Sequence, residues 1–206
     1  MKKIPTLFER VFNGHRLERV LSNVTPGCEF VLEGKGIATI KMDGSCCAVI
    51  DGKFYKRYDA KGRKKVPAGS IPCCDPDPVT GSWPHWAPVY KDDPSDKWFV
   101  AAFKNTAAYR SNRIAGHDLW YILEGTYEAM GPHFQGNPNG LKYDILVRHG
   151  DDIVTVERTF EGIRKWLEEN EEEGLVFWLN GEPRCKIKRT DFGLGWPISK
   201  KKGGSR

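Results

Sequence analysis

Lys41 opens the segment Lys41-Met42-Asp43-Gly44, directly behind Ile37-Ala38-Thr39-Ile40, a run that reads as a β-strand. A lysine amine attacks a phosphorus atom only when unprotonated, and an ordinary pKa of about 10.4 leaves little amine at neutral pH. Nearby cations, helped by a bound metal, lower that value and make the amine a usable nucleophile. Gly44, just behind the lysine, would let the chain turn sharply and bring a nucleotide close to the backbone. A four-residue pattern with one free position also recurs by chance, so the rest of the chain has to supply the partners.

The strongest geometric clue lies near the C-terminal end. Leu175–Leu179 and Arg184–Lys188 read as strands joined by Asn180-Gly181, a pair that favours the two-residue type I′ hairpin. With that loop, Leu179 faces Glu182, Glu173 lies opposite Lys188, and Leu175 lies opposite Lys186. Alternation then places Glu173, Lys186 and Lys188 on one face. Pro183 could introduce a bulge and move this register. A carboxylate beside two lysines suits phosphate and metal; it is also the makeup of a plain cross-strand ion pair on a solvated surface.

These residues need elements to hold them. Ala48–Ile50 and Lys53–Tyr58 read as strands across an Asp51-Gly52 turn. Trp120–Tyr127 and Lys142–Arg148 read as two more, linked by the turn-rich Gly131–Pro138. Thr159 can cap a helix running to about Asn170, with Ile163, Trp166 and Leu167 inward. Thr6–Phe12 reads as a short amphipathic helix with Leu7, Val11 and Phe12 inward. Residues 67–94 hold seven prolines and read as an irregular loop or lid. The acidic run Glu168–Glu173 reads as a solvated helix end, with Glu173 alone functional.

Five segments occur in the order seen in the covalent nucleotidyltransferases, the superfamily of DNA ligases, RNA ligases and messenger-RNA capping enzymes. Lys41-Met42-Asp43-Gly44 resembles the nucleophile motif, and Lys56-Arg57 the basic motif behind it. Tyr127-Glu128-Ala129-Met130-Gly131 resembles the third motif, Glu173-Gly174-Leu175-Val176 the fourth, and Lys186-Ile187-Lys188 the fifth. The resemblance implies an α+β nucleotidyltransferase (ATP-grasp-like ligase) domain over residues 1–206, with antiparallel sheets flanked by helices around a nucleotide cleft. It also implies roles. Lys41 would carry the nucleotide, with Asp43 and Gly44 beside it. Arg57 would contact the nucleotide or acceptor phosphate, and Glu128 the ribose hydroxyls. Glu173 would support the catalytic metal, with Glu128 as a second support, and Lys186 and Lys188 would hold the α-phosphate.

Within the superfamily, the branch is suggested by detail. The chain ends eighteen residues after Lys188, so no OB-fold is expected. Ser45-Cys46 stands where capping enzymes and many DNA ligases carry an arginine two places after the motif glycine. The stretches Glu128–Pro138 and Lys186–Gly193 resemble a group of compact ATP-dependent 5′-to-3′ RNA ligases of viruses, bacteria and animals. That resemblance implies ATP and Mg2+ (with Mn2+ as a substitute) as cofactors, RNA ends bearing a 5′-phosphate and a 3′-hydroxyl as partners, and a role such as RNA repair. Two alternatives are a non-catalytic RNA-binding protein on the same fold and a nucleotidyltransferase acting on a DNA end, a cap or a protein.

Bulk properties fit without deciding. The net charge is +5 and the pI near 8.8, which permits a phosphate-rich partner. Six cysteines show no C-x-x-C pair and read as reduced thiols. No apolar run reaches the ~20 residues that span a bilayer, and Met1-Lys2-Lys3-Ile4-Pro5 has no continuous apolar stretch behind it and does not read as a signal peptide, so an intracellular, cytoplasmic protein is expected. No G-x-S-x-G elbow, H-E-x-x-H pair or Walker A loop is present. Lys61, Arg63, Lys64 and Lys65, and Lys200–Lys202 in the basic tail 199–206, could grip RNA phosphates or simply be solvated. Tyr143 could stack on adenine or pack as a strand tyrosine. His133 and His149 could touch phosphate or move a proton, but neither has a partner recognisable in the sequence.

Overall fold

In the computed structural model, residues 2–60, 65–78, 80–111 and 122–198 are described. In chain order the strands are β1 (Phe8–Asn13), β2 (Arg16–Val24), β3 (Ile37–Lys41), β4 (Ser45–Ile50), β5 (Lys53–Ala60), β6 (Ile71–Pro72) and β7 (Trp83–Pro88). Helix α1 (Lys97–Ser111) follows, then β8 (Gly125–Met130), β9 (Ile145–Arg148), β10 (Ile153–Val154), helix α2 (Phe160–Glu169), β11 (Gly174–Leu179) and β12 (Glu182–Lys188). Antiparallel sheets dominate and helices are few, compatible with an α+β fold. The chain forms two compact units, Lys3–Met42 with Gly150–Arg206, and Asp43–His149.

The first of these is built on a four-stranded antiparallel sheet in the order β10-β3-β11-β12. One face is apolar by alternation: Ala38 on β3, Leu175 and Phe177 on β11, and Cys185 and Ile187 on β12 are buried with Ile163 and Leu167 of α2. Thr159 caps α2 as expected, its Oγ1 accepting from the Gly162 N–H at 3.0 Å. The helix expected over Thr6–Phe12 is instead extended chain. Leu7 donates its N–H to the Lys186 carbonyl at 2.7 Å, Lys186 donates to the Pro5 carbonyl at 3.0 Å, and β1 pairs with β2. Edge pairing onto β12 outweighs the helical spacing of Leu7 and Val11, and Gly14 at φ 60° makes the β1–β2 turn.

The second unit carries a six-stranded antiparallel sheet, β6-β7-β5-β4-β8-β9. Helix α1 covers one face, where Ala102 and Ala107 meet Cys47, Val49, Tyr127, Ala129 and Leu146. Ala48, Tyr55 and Trp86 cluster on the opposite face. Residues 67–94, expected as a loop or lid, contribute β6 and β7, and β7 lies inside the sheet. Its prolines fit because the Pro84 carbonyl accepts from the Cys73 N–H at 2.9 Å, on the side away from β5. Pro84 and Pro88 share that side by alternation, so neither missing N–H removes a bond to β5. Helix α1 had no sequence expectation; its apolar residues ring the helix, and only Asp93-Pro94-Ser95 ahead of it marks a start. The strand expected over Trp120–Tyr127 begins at Gly125, residues 120–121 lying outside the described residues. Among the described residues no helix is long and apolar enough to cross a membrane.

Candidate active site

In the Lys41-bearing unit, three strands bring the fourth and fifth motif segments against the first. Gly174 on β11 pairs with Lys41 on β3 and with Lys188 on β12, forming one cross-strand row, lysine-glycine-lysine. Adjacent strands lie about 4.8 Å apart, which puts the two lysine backbones about 10 Å from each other. The Glu173 carboxylate closes that gap: one oxygen accepts from Lys41 Nζ and the other lies 2.7 Å from Lys188 Nζ. Glu173 is only 4% exposed, so both ammonium groups are needed to offset its burial. Lys41 Nζ also donates to the Met42 carbonyl at 3.3 Å.

The hairpin register differs from the expected one. Asn180 and Gly181 adopt φ 55° and 77°, as the turn requires, and Leu179 does pair with Glu182. The register shifts where consecutive Phe177 and Trp178 of β11 face Cys185 and Pro183, a bulge on β12 with Arg184 as its extra residue. Lys188 therefore lies opposite Gly174 rather than Glu173, and Lys186 opposite Val176 rather than Leu175. Lys186 and Lys188 keep a common face, away from buried Cys185 and Ile187, and Lys41 joins them there. Glu173 reaches this face from just outside the strand.

Burial, followed by the charges of Lys41, Lys188 and Arg10, pulls the Lys186 ammonium down to about 8, against a smaller opposing effect from Glu173. Arg10, on β1, is a residue the sequence reasoning missed. Its guanidinium lies 2.5 Å from Asp191, whose other oxygen accepts from the Lys188 N–H at 2.8 Å. Only the unexpected pairing of the N-terminal segment with β12 reveals it. Buried Arg189 donates to the Asn170 carbonyl at 2.7 Å and, through its N–H, to the Glu173 carbonyl at 2.9 Å, fixing the segment that delivers Glu173.

In the other unit, Glu128 on β8 pairs with Cys46 on β4. Burial and then the Glu128 carboxylate push the Cys46 thiol up to about 12, with Arg57 opposing. Arg57 donates from Nε to Asp59 at 2.8 Å. Lys56, its neighbour, alternates to the helix-covered side and pairs with Asp96, which is 1% exposed and also accepts from the Tyr90 N–H at 2.9 Å. Of that basic pair, Arg57 alone shares the surroundings of Cys46. Asp43 lies in the link between β3 and β4. Gly44 is absent from the left-handed region, so its freedom to turn does not explain it. A Cβ there would sit 2.2 Å from the Ala129 carbonyl oxygen and 2.9 Å from Glu128 Cγ. The glycine is required by the close approach of β8.

Both histidines have carboxylate partners. His149 places Nε2 2.9 Å from Glu128, and His133 places Nδ1 2.7 Å from buried Asp144 while stacking on Trp98. Tyr143 lies outside the strands, 59% exposed, with the Lys142 ammonium 5.1 Å from its ring centre. The strand expected from Lys142 starts at Ile145. Glu168 lies 3.0 Å from Arg164 across one helical turn, a surface pair. Of the two basic clusters, Lys65 is exposed; Lys61, Arg63, Lys64, Lys200–Lys202 and the tail 199–206 lie outside the described residues.

No protein-family model matches the chain. It is similar to RNA ligase 1 of Rattus norvegicus, at 26% identity over 227 aligned positions covering 79% of this chain and 69% of that one. RNA ligase 1 of Pongo abelii is 24% identical with the same two coverages. RNA ligase 1 of Danio rerio is 31% identical over 90 positions, 38% of this chain and 27% of that one. These similarities support a relationship between the chain and proteins named as RNA ligases.

Proposed function

We propose that the chain is an ATP-dependent RNA ligase joining 5′-phosphate and 3′-hydroxyl RNA ends through lysyl-AMP on Lys41. The observation that carries this reading is the convergence of Lys41, Glu173, Lys186 and Lys188 in one sheet, together with the similarity to proteins named RNA ligase 1. A buried carboxylate gripped by two lysines is more than a solvated ion pair.

In the first step Lys41 Nζ, having lost a proton, forms a bond to the α-phosphorus of ATP and pyrophosphate leaves. Glu173 orients the amine and offers the acceptor for its proton. Lys186 and Lys188 supply the positive charge that meets the α-phosphate. Glu128 recognises the ribose hydroxyls, and Arg57 a phosphate. AMP then passes to the 5′-phosphate of an RNA end, freeing Lys41. Finally the 3′-hydroxyl of a second end attacks that phosphorus and expels AMP. The carboxylates of Glu173 and Glu128 are hard oxygen donors suited to magnesium, which when bound offsets phosphate charge. Among the described residues no three or more His, Cys, Asp or Glu are grouped to hold a metal, so an ion would draw part of its shell from the phosphates and water.

The test is retention of label from ATP labelled at the α-phosphate on a denaturing gel, with Lys41→Ala alongside. The expected result is magnesium-dependent label, lost in the variant, followed by ligation of 5′-phosphorylated RNA. Label from GTP alone would redirect the reading to capping. No label, from folded protein shown by mass to carry no AMP, would overturn it.

A further inference from the structure

We propose that His149 is a positioning residue that sets Glu128 for the ribose of the nucleotide, and so makes the protein select ribonucleotides over deoxyribonucleotides. The inference rests on the reading of Glu128 given above, and goes beyond it by assigning a residue outside the five motif segments.

The geometry fixes the residue at three points, two of them on the imidazole. The His149 backbone N–H donates to the Thr126 carbonyl at 3.1 Å, extending the β8–β9 pairing by one position. Ring Nε2 lies 2.9 Å from Glu128 Oε2, and ring Nδ1 lies 3.1 Å from Thr126 Oγ1. An ionised carboxylate only accepts, so Nε2 must carry the proton. In the neutral ring Nδ1 is then an acceptor, and the Thr126 hydroxyl is the donor it meets. The result is a directed chain, from the Thr126 hydroxyl to the imidazole to the Glu128 carboxylate. The side chains of His149 and Glu128 are 16% and 12% exposed, so water competes little for either.

A carboxylate on a strand rotates about its side-chain bonds unless one oxygen is held. His149 holds Oε2, and Oε1 is the oxygen assigned by this proposal to accept from a ribose hydroxyl. Two described neighbours do not compete. Cys46, across from Glu128, is kept a neutral thiol by burial and by that carboxylate, and Arg57 is engaged with Asp59. Thr126, Glu128 and His149 therefore form a unit suited to presenting one carboxylate oxygen. Sites built to bond a hydroxyl reject analogues that lack it, because the unpaired buried group is left behind.

The experiment compares lysyl-AMP formation from ATP, 2′-deoxy-ATP and 3′-deoxy-ATP in the full chain and in His149→Ala, His149→Gln and Thr126→Val. The unchanged protein should favour ATP over at least one deoxy analogue by roughly tenfold to hundredfold. In His149→Ala this preference should fall to within about threefold, through a higher KM for ATP with little change for the analogue. His149→Gln, whose amide can still donate to Glu128, should recover part of the preference, and Thr126→Val should lose part of it while leaving the imidazole in place. A His149→Ala protein that slows on all three nucleotides equally, keeping the ratio, overturns the inference: the residue would then be structural only. Should His149→Ala not fold, an unchanged ratio in Thr126→Val overturns it as well. Absence of lysyl-AMP from every nucleotide in the unchanged protein overturns the ligase reading itself and this inference with it.

Discussion

Replacing Gly174 with alanine should separate chemistry from folding more cleanly than any change to a charged residue. A Cβ built at this position lies 2.2 Å from the Ile187 carbonyl oxygen and 3.0 Å from Lys188 Cα. Ordinary contact needs well over 3 Å, and neither atom belongs to a flexible side chain, so β11 and β12 must part locally by about 1 Å. The strain of such overpacking costs roughly 1–3 kcal/mol. In a chain of this size that lowers Tm by about 3–10 °C, leaving the protein folded at room temperature. The site suffers more. Gly174 stands between Lys41 and Lys188, and the preceding residue supplies the carboxylate that joins them. A displacement of about 1 Å in such a grouping costs roughly a hundredfold in rate. The assay is the single-turnover rate of lysyl-AMP formation, read beside circular dichroism and a thermal melt. A Gly174→Ala protein with wild-type rates, or with a loss no larger than its unfolded fraction, would refute the claim that this row positions the nucleophile.

Three further outcomes follow from the charges. The Lys186 ammonium is pulled from 10.5 to about 8, so from about pH 8 to 10.5 the unfolded chain binds a proton the folded one lacks; this group adds stability as pH rises through that window, and the gain is absent below about 8. Phosphate attraction runs the other way, since it needs the charged form: pyrophosphate affinity by calorimetry should fall about tenfold from pH 7 to pH 9, and Lys186→Arg should abolish the fall. An equal fall in Lys186→Arg would assign the effect to another group. Asp96→Asn leaves Lys56 without its buried partner and should cost about 2–4 kcal/mol in urea unfolding, with lysyl-AMP formation by the folded protein unchanged. A loss of chemistry without a loss of stability would show that Lys56, and not Arg57 alone, belongs to the site.

Local signals in the sequence were strong where a turn or cap dictates the backbone. Asp51-Gly52 and Asn180-Gly181 each adopt the left-handed conformations their hairpins require, and Thr159 caps α2 through the bond its hydroxyl allows. Apart from α1, which shows no one-sided apolar period, the misses depend on non-local partners. Thr6–Phe12 satisfies a helical spacing until the edge of β12 offers its backbone groups to residues 5–7. The prolines of β7 argue against a strand until the direction of each missing N–H is known. The one-residue shift beside Pro183 was foreseeable as a bulge but not in its extent, and it exchanged Glu173 for Gly174 as the partner of Lys188. Arg10 and His149 carry no local signature, because each gains its meaning from a carboxylate far away in sequence.

The glycines of the two motif segments show how a chemical pattern can also be a packing constraint. Read along the chain, Gly44 suggests freedom to turn near a nucleotide, while Gly174 simply follows the carboxylate of its segment. Neither adopts a positive φ. At each, a Cβ would stand 2.2 Å from a backbone carbonyl oxygen of the adjacent strand, Ala129 for one and Ile187 for the other. The constraint is thus a close strand approach, found once in each unit beside a carboxylate: Glu128 next to the Gly44 contact, Glu173 next to Gly174. Any side chain at either glycine would press on the strand that holds the carboxylate or its lysine partner. At both positions the glycine is a packing requirement set by the neighbouring strand, and freedom to turn plays no part.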